Sequence, residues 1–300
     1  MANIISKYII DNEAVVSAAD TTQMVEYAKT LHNTFPTCTA ALGRTLTAAA
    51  IMATTLKGED DKLTLSINGG GPAGTIMATA DSHGNVKGCI GNPHVDRPAK
   101  KSGKLDVSGA VGKNGFVTVV KDIGLKEPYI GKTPIQTGEI AEDIAYYYLM
   151  SEQQPSIVYL SVWVDIDTKV IVAGGLVITP LPGASEEVLS KIENKIAQIS
   201  NYGILLMSMT PDECVKKIFD DFKVEHIGDF EPEYFCDCSK ERYEKILITL
   251  GQKELKDMIE EDGGAKIICR FCNKEYNFTK GELEKLLLEA ATKDKDEKFN

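Results

Sequence analysis

The chain has 300 residues, 43% of them hydrophobic, a formal net charge of −11 at pH 7 and a sequence pI of 5.0. That length and apolar content allow one large domain with a sizeable core and a second, small one. The acidic balance opposes broad attachment to phosphate backbones or anionic lipid, which needs clustered lysine and arginine, so neither nucleic acid nor a membrane surface is an expected partner.

The opening segment MANIISKYIIDNEAVV carries no basic leader, long apolar run or small-residue cleavage site, so a cytoplasmic location is the expectation. Over the first 180 residues period-2 and period-3.6 patterns mix, which predicts an α+β domain rather than a regular βαβ repeat. Strands are expected at Ile4 to Ile10, Leu63 to Asn68, Gly74 to Ala80 and Phe116 to Lys121. Helices are expected after Asp20, over Thr39 to Leu56 and from about Glu139 to Met150. The segment from Thr39 to Leu56 is the most membrane-like. Arg44 and five threonines interrupt it, and it falls short of the about 20 apolar residues a span needs, so a buried helix of small residues is read there.

Gly69-Gly70-Gly71-Pro72 lacks the Gly-Lys-Ser/Thr that completes a phosphate loop and lies between strand-like segments, so it reads as a turn. Ile157 to Val164 and Val170 to Ile178 are β-branched runs around Asp165-Ile-Asp-Thr-Lys169, which predicts a hairpin. Asp165 and Asp167 are then turn residues rather than a catalytic carboxylate pair. No nucleophile elbow or kinase motif is present, and an enzyme is not the expectation.

Pro180, Pro182 and Gly183 punctuate the chain, and a domain boundary is expected near 183. Beyond it the sequence is helical and more acidic. Ser185 stands as an N-cap ahead of a narrow stripe of Val188, Ile192, Ile196 and Ile199. Thr210-Pro-Asp-Glu213 is a capping box that opens a helix bringing Val215, Ile218, Phe219 and Phe222 together. Helices this short are marginal in water and need something to lie on. Residues 184–229 therefore read as an amphipathic helical linker, either ordinary surface helices or a hydrophobic surface that is covered only conditionally.

From Phe230 onward a small unit is expected, with helices at Glu241 to Leu250 and Lys253 to Ile259 closed by Gly263-Gly264. A hairpin of Lys266 to Arg270 with Glu275 to Phe278 follows, and Thr279-Lys-Gly-Glu282 caps a helix containing Leu283, Leu286 and Leu287. The charged stretch Lys293 to Lys298 reads as a solvated tail.

Seven cysteines in a reducing compartment suit metal ligands or redox groups better than a disulfide framework. Cys38, Cys89 and Cys214 are scattered and read as small buried or partly buried residues rather than ligands. His32, His83, His94 and His226 show no paired metal spacing. The other four form two tight pairs, Cys236-Asp-Cys238 and Cys269-Arg-Phe-Cys272, with residues 239 to 268 between them. Each pair sets two soft donors on one side of an ion, and together they complete a tetrahedral zinc shell without histidine. The separation exceeds the about 15 to 20 residues of common zinc ribbons.

A unit this small draws about 3 to 5 kcal/mol from its own core, whereas a structural zinc contributes on the order of 10 to 16 kcal/mol of apparent binding energy. Bound thiolates are the oxidisable form of cysteine. Oxidation within each pair, Cys236 to Cys238 and Cys269 to Cys272, closes short loops worth about 2 kcal/mol at best, and the Cys-x-Cys bridge is strained. Zinc ties the two pairs together and local disulfides do not. The sequence thus encodes a folded metal form and a loosened oxidised form.

The segments Cys236-Asp-Cys-Ser-Lys-Glu-Arg242 and Cys269-Arg-Phe-Cys-Asn273, with Ala40-Ala-Leu-Gly-Arg44 and Asn68-Gly-Gly-Gly-Pro72 upstream, resemble the redox-regulated heat-shock chaperone family, the thirty-three-kilodalton chaperonins. The likeness spans essentially the whole chain. It implies a substrate-binding core over residues 1–183, a metastable linker over 184–229 and a zinc-binding redox switch over 230–300. It implies an ATP-independent holdase for unfolding client proteins, inactive while reduced and zinc-bound. Oxidative stress would expel the single zinc, form the two local disulfides, unfold switch and linker, and favour a homodimer. Two other readings compete. One is a static zinc ribbon binding nucleic acid or a ribosomal partner, for which Lys266, Arg270 and Lys274 give a small basic face. The other is a thiol-disulfide enzyme built on Cys269 and Cys272, which lacks the βα junction such motifs normally occupy.

Overall fold

The computed structural model describes residues 2–199 and 201–296. The chain divides into two compact units, Met1–Phe235 and Cys236–Asn300.

In the first unit β1 (Ile4–Ile10) and β2 (Ala14–Asp20) form a hairpin around Asp11 and Asn12, both at positive φ, which these short polar residues tolerate better than other side chains. The Asp20 carboxylate accepts the Thr22 N–H at 3.0 Å and starts α1 (Thr22–His32). Next comes α2 (Pro36–Ala53), which begins earlier than expected because Pro36 fits the first helical turn. It also ends earlier than Leu56, since the hydroxyls of Thr54 and Thr55 turn back to the carbonyls of Ile51 and Met52 at 2.8 and 2.7 Å.

The chain continues through β3 (Lys62–Asn68), β4 (Ile76–Asp81), β5 (Asn85–Ile90), α3 (Val107–Val111), β6 (Phe116–Asp122) and β7 (Tyr129–Pro134). The glycine segment is a turn, as expected: the Gly71 N–H donates to the Val111 carbonyl and the Asn114 N–H to the Gly69 carbonyl, both at 2.9 Å. A Cβ on Gly69 would lie 2.2 Å from the Gly112 oxygen, so backbone touches backbone there. The fourth strand starts only at Ile76, because Gly74 takes φ +67° within this turn.

After β7 come α4 (Ala141–Met150), β8 (Ile157–Val164), β9 (Val170–Pro180), α5 (Glu186–Ala197), α6 (Tyr202–Leu206), α7 (Pro211–Ile218), β10 (Val224–Phe230) and β11 (Glu233–Tyr234). Helix α4 begins at Ala141 rather than Glu139 because the buried Asp143 carboxylate collects the N–H groups of Gln136, Thr137 and Ile140 at 2.8 to 3.0 Å. Ile140 is thereby held at φ +73°, a conformation that β-branched residues adopt only where surroundings impose it. The loop between β8 and β9 is a turn in which the Asp165 side chain accepts the Lys169 N–H at 2.7 Å.

Two sheets organise the unit. One is antiparallel with order β10-β1-β2-β9-β8; the other runs β11-β5-β4-β3-β6-β7, antiparallel except for the parallel β11–β5 pair. Helix α2 packs on β3, β4 and β5 of the second sheet and on β8 and β9 of the first. Its interior run of Ala40, Ala41, Ala48, Ala49 and Ala50 is buried all round, which is the pattern of a central core helix. The buried hydroxyls of Thr45 and Thr47 are satisfied by the carbonyls four residues back, at 2.9 Å each. From α2 the Arg44 guanidinium reaches the carbonyl and carboxylate of Glu139, both at 3.0 Å.

The opposite face of the five-stranded sheet is covered by α5, α6 and α7. Tyr8, Ile10, Val16, Val172, Leu176 and Ile178 from the strands pack with Ile192, Ile196, Tyr202, Leu206, Val215 and Phe219 from the helical segment. Ser185 accepts the Val188 N–H and the Thr210–Glu213 box closes in both directions, so both expected caps are present. Phe219 and Phe222 fall beyond the end of α7, yet their rings meet edge to face at 5.5 Å and both are buried. Where a wholly helical segment is expected, the chain turns at Phe222 into β10, which pairs with β1.

The second unit holds α8 (Lys240–Thr249), α9 (Gln252–Asp257), a π-helical turn (Met258–Asp262), β12 (Gly264–Ile268), β13 (Glu275–Thr279) and α10 (Lys280–Asp296). The charged tail expected through Lys298 passes outside the described residues. Leu247, Leu255, Ile259, Tyr276, Phe278, Leu283 and Leu286 form its small core.

One polar group is out of place in the seam between helices and sheet. Tyr202 is 0% exposed and its hydroxyl finds no hydrogen-bond partner among the described residues, which costs about 1–3 kcal/mol relative to a satisfied group. Tyr202→Phe is therefore expected to stabilise the first unit by about 1 kcal/mol, measured as a higher urea midpoint at unchanged slope.

Candidate metal centre

Cys236, Cys238, Cys269 and Cys272 converge, with all four sulfurs within 4.8 Å of one another. The Cys236 and Cys269 sulfurs lie 3.7 Å apart, and those of Cys238 and Cys272 lie 3.3 Å apart. No disulfide joins any of the seven cysteines. Four bonds of 2.3 Å in a tetrahedron require sulfurs about 3.8 Å apart. The cluster matches a zinc-sized ion in both donor type and spacing.

Local structure explains the convergence. Cys269 and Cys272 sit in the tight connection between β12 and β13, where the Cys269 N–H donates to the Lys274 carbonyl at 3.0 Å and the Asn273 N–H returns to the Cys269 carbonyl at 2.8 Å. Asn273 takes φ +58°, a left-handed conformation asparagine tolerates. Cys236 and Cys238 precede α8, whose N-cap Ser239 accepts the Arg242 N–H at 3.2 Å. Lys240 on α8 pairs with Glu282 on α10 at 2.6 Å, and Glu282 closes a capping box with Thr279. The Lys240 ammonium, followed by the Thr279 backbone and hydroxyl, holds the Glu282 carboxyl down at about 2.

The sulfurs also receive hydrogen bonds suited to negative charge. Burial opposes ionisation of Cys269, but the Tyr243 hydroxyl and the N–H groups of Phe271 and Cys272 outweigh it and bring that thiol down to about 6. Burial raises Cys236 and Cys272 instead, and their neighbouring thiols add to the effect. Like charges at this spacing cannot all form unaided, so four thiolates require a cation among them. The Tyr276 hydroxyl donates to the Cys238 carbonyl at 2.8 Å and lies 3.1 Å from its sulfur.

Tyr243 and Tyr276 are the site residues that the cysteine spacing leaves unnoticed. Their rings sit 4.9 Å apart. The signal for Tyr276 is its period-2 relation to Phe278 on β13, both buried; Tyr243 carries none beyond its position one turn after the Ser239 cap. The remaining cysteines and the histidines lie in the first unit. Cys38 and Cys214 are buried, Cys89 is on β5, His32 bonds the Tyr234 hydroxyl and His226 pairs with Asp229. Of the candidate basic face, Lys266 is engaged by Glu275 at 2.8 Å.

Comparison with known proteins bears on the whole chain. The family model described as Hsp33 protein matches residues 3–279. The chain belongs to the Hsp33 family. Among Hsp33 relatives, a 33 kDa chaperonin of Alkaliphilus metalliredigens is 46% identical over 90% of this chain and 92% of its own length. One from Caldanaerobacter subterraneus subsp. tengcongensis is 46% identical over 96% of this chain and 98% of its own. The crystal structure of the Thermotoga maritima Hsp33 homologue is similar with a TM-score of 0.86 and 34% identity, covering 97% of this chain and 99% of that one. Hsp33 membership agrees with the mixed α/β core and the terminal cysteine unit. No helix among the described residues is long and apolar enough to cross a membrane.

Tyr276→Phe removes a hydroxyl that ties β13 to the Cys238 segment. It is expected to speed amide hydrogen exchange across β12 and β13 by about fivefold while leaving the first unit unchanged.

Proposed function

We propose that this protein is an ATP-independent holdase chaperone that binds unfolding proteins under oxidative and heat stress and whose activity is controlled by the four-cysteine cluster. The observation that carries the reading is the four-thiol cluster within a unit whose own core is small. Membership in a family of proteins named 33 kDa chaperonins supports the chaperone role.

In the reduced form Cys236, Cys238, Cys269 and Cys272 hold one zinc ion. When bound, zinc supplies the positive charge that keeps four thiolates together and so contributes folding energy to the unit. Tyr243 and Tyr276 orient the Cys269 and Cys238 sulfurs, the kind of supporting contact that tunes a metal site. Oxidation couples Cys236 to Cys238 and Cys269 to Cys272. Two S–S bonds form, the four electrons pass to two equivalents of a two-electron oxidant of the peroxide class, which take up four protons from solvent and leave as water, and no thiolates remain to hold the dication. The short loops these bonds close replace only a fraction of the lost metal energy.

The chain is read as three working parts: a client-binding core over residues 1–183, a linker over 184–229 and a switch over 230–300. Oxidation unfolds the switch and the linker, and the helices α5–α7 leave the sheet. Tyr8, Ile10, Val16, Val172, Leu176 and Ile178 then face solvent together with the apolar stripes of the released helices. Exposed apolar patches beyond a few hundred Å² capture partners, which suits both unfolded clients and formation of a homodimer. A protein working this way belongs in the cytoplasm, where reduction keeps the switch closed.

Two measurements test this. Metal analysis of the reduced protein is expected to give one zinc per chain, released by peroxide together with loss of helical signal; Cys269→Ser is expected to abolish stoichiometric zinc. Oxidised protein is expected to suppress aggregation of a heat-denatured client where reduced protein does not, and equal activity in the two states rejects the switch.

A further inference from the structure

The five-stranded sheet would end at β1, were it not for a strand of unusual character. The sequence of β1 is IISKYII, rich in residues that favour extended structure, and Ile5, Tyr8 and Ile10 are buried. Its outer edge is covered by β10, VEHIGDF, paired antiparallel from Ile5 with Phe230 to Ile10 with Val224. Three features weaken that cover. Glu225 and Asp229 are exposed charged residues of poor strand propensity. Gly228 sits at φ +154°, and the register breaks between Lys7 and Tyr8. Charge and irregularity are the means by which proteins blunt a sheet edge. Here they reside in the covering strand, while the strand beneath is a strong one.

We propose that the outer edge of β1 is a docking site for an extended, proline-free segment of an unfolded chain, which adds to the sheet as a strand in place of β10. The inference rests on the reading above, in which the linker over 184–229, whose last residues 224–229 form most of β10, unfolds on oxidation. The chain's own connector already occupies the edge in strand geometry although Glu225 and Asp229 are poor strand formers, so the pairing there is carried by backbone more than by side-chain propensity. Backbone hydrogen bonds of this kind supply affinity irrespective of sequence, and alternate side chains of the incoming strand fall beside Tyr8 and Ile10 on the face that α5–α7 vacate. An acceptor built from backbone suits clients that share no sequence, and a β-rich aliphatic segment competes with VEHIGDF on propensity alone.

The test uses the peroxide-oxidised full-length protein and a fluorescent ten-residue peptide of alternating valine and threonine, with a twin that carries N-methyl groups on the amides of one edge. N-methylation removes pairing while making the peptide more apolar. The parent is expected to bind and the twin to bind about tenfold more weakly for each pairing amide blocked. The parent is also expected to slow hydrogen exchange at the amides of residues 5–10. Equal binding of both peptides, failure of the parent to bind, or protection confined to other strands overturns the inference. Protection of residues 5–10 that rises with protein concentration and ignores the peptide assigns the edge to a second copy and overturns it as well. If aggregation is still suppressed in any of these cases, the edge inference fails alone; if oxidised protein suppresses none, the holdase reading itself falls.

Discussion

A sheet that is apolar on both faces must be covered on both, and the two covers in this protein differ in kind. Alternation along the strands sends Ile5, Ala19, Ala173 and Val177 to one side and Tyr8, Val16, Ala18, Val172, Leu176 and Ile178 to the other. The first side meets α2, a long helix of small residues wedged against both sheets. Its fit is close enough that a Cβ on Gly43 would lie 2.6 Å from Val25. The second side meets α5, α6 and α7, which are short, capped only by side chains at their own N-termini and seamed by a Tyr202 hydroxyl with no partner among the described residues. Neither α6 nor α7 is long enough to hold a helical shape alone. One cover is therefore part of the core, and the other depends on staying docked.

The second unit meets the opposite difficulty, too little apolar material rather than too much. Its buried side chains cluster around a two-stranded ribbon and parts of three helices, and the four sulfurs stand where a larger domain would place more core. Backbone N–H groups and the Tyr243 hydroxyl favour negative charge on the Cys269 sulfur. Such an arrangement gains most when a cation completes it, and that ties the order of the unit to the chemical state of its cysteines.

Much of this was legible from residue order. Cysteine spacing identified the cluster, and the capping signatures at Ser185, Thr210 and Thr279 located three helix starts, because a side-chain oxygen facing N–H groups one turn ahead is a local interaction. The segment from Thr39 to Leu56 was readable as a central helix because small apolar residues ran through it without a polar face. Strand β2 was not readable: AVVSAAD is buried at almost every position, so its alternation is erased by helices on both sides of its sheet. Strand β10 was hidden for a related reason, since its polar residues carry little propensity and it is held in place by β1. Phe222 was assigned to the right cluster through the wrong element, its ring reaching Phe219 from a turn. Tyr243 and Tyr276 escaped notice because a tyrosine serving a sulfur looks in sequence like any other core aromatic.

Cys214 gives the docked helices a consequence of their own. Cys214 lies on the sheet-facing side of α7, where burial raises its thiol to about 11, with Glu213 adding to the effect, and leaves it 0% exposed. While the helix is seated, electrophiles find almost no thiolate to attack and no path to it. The seating of α7 is therefore also what keeps this thiol chemically silent.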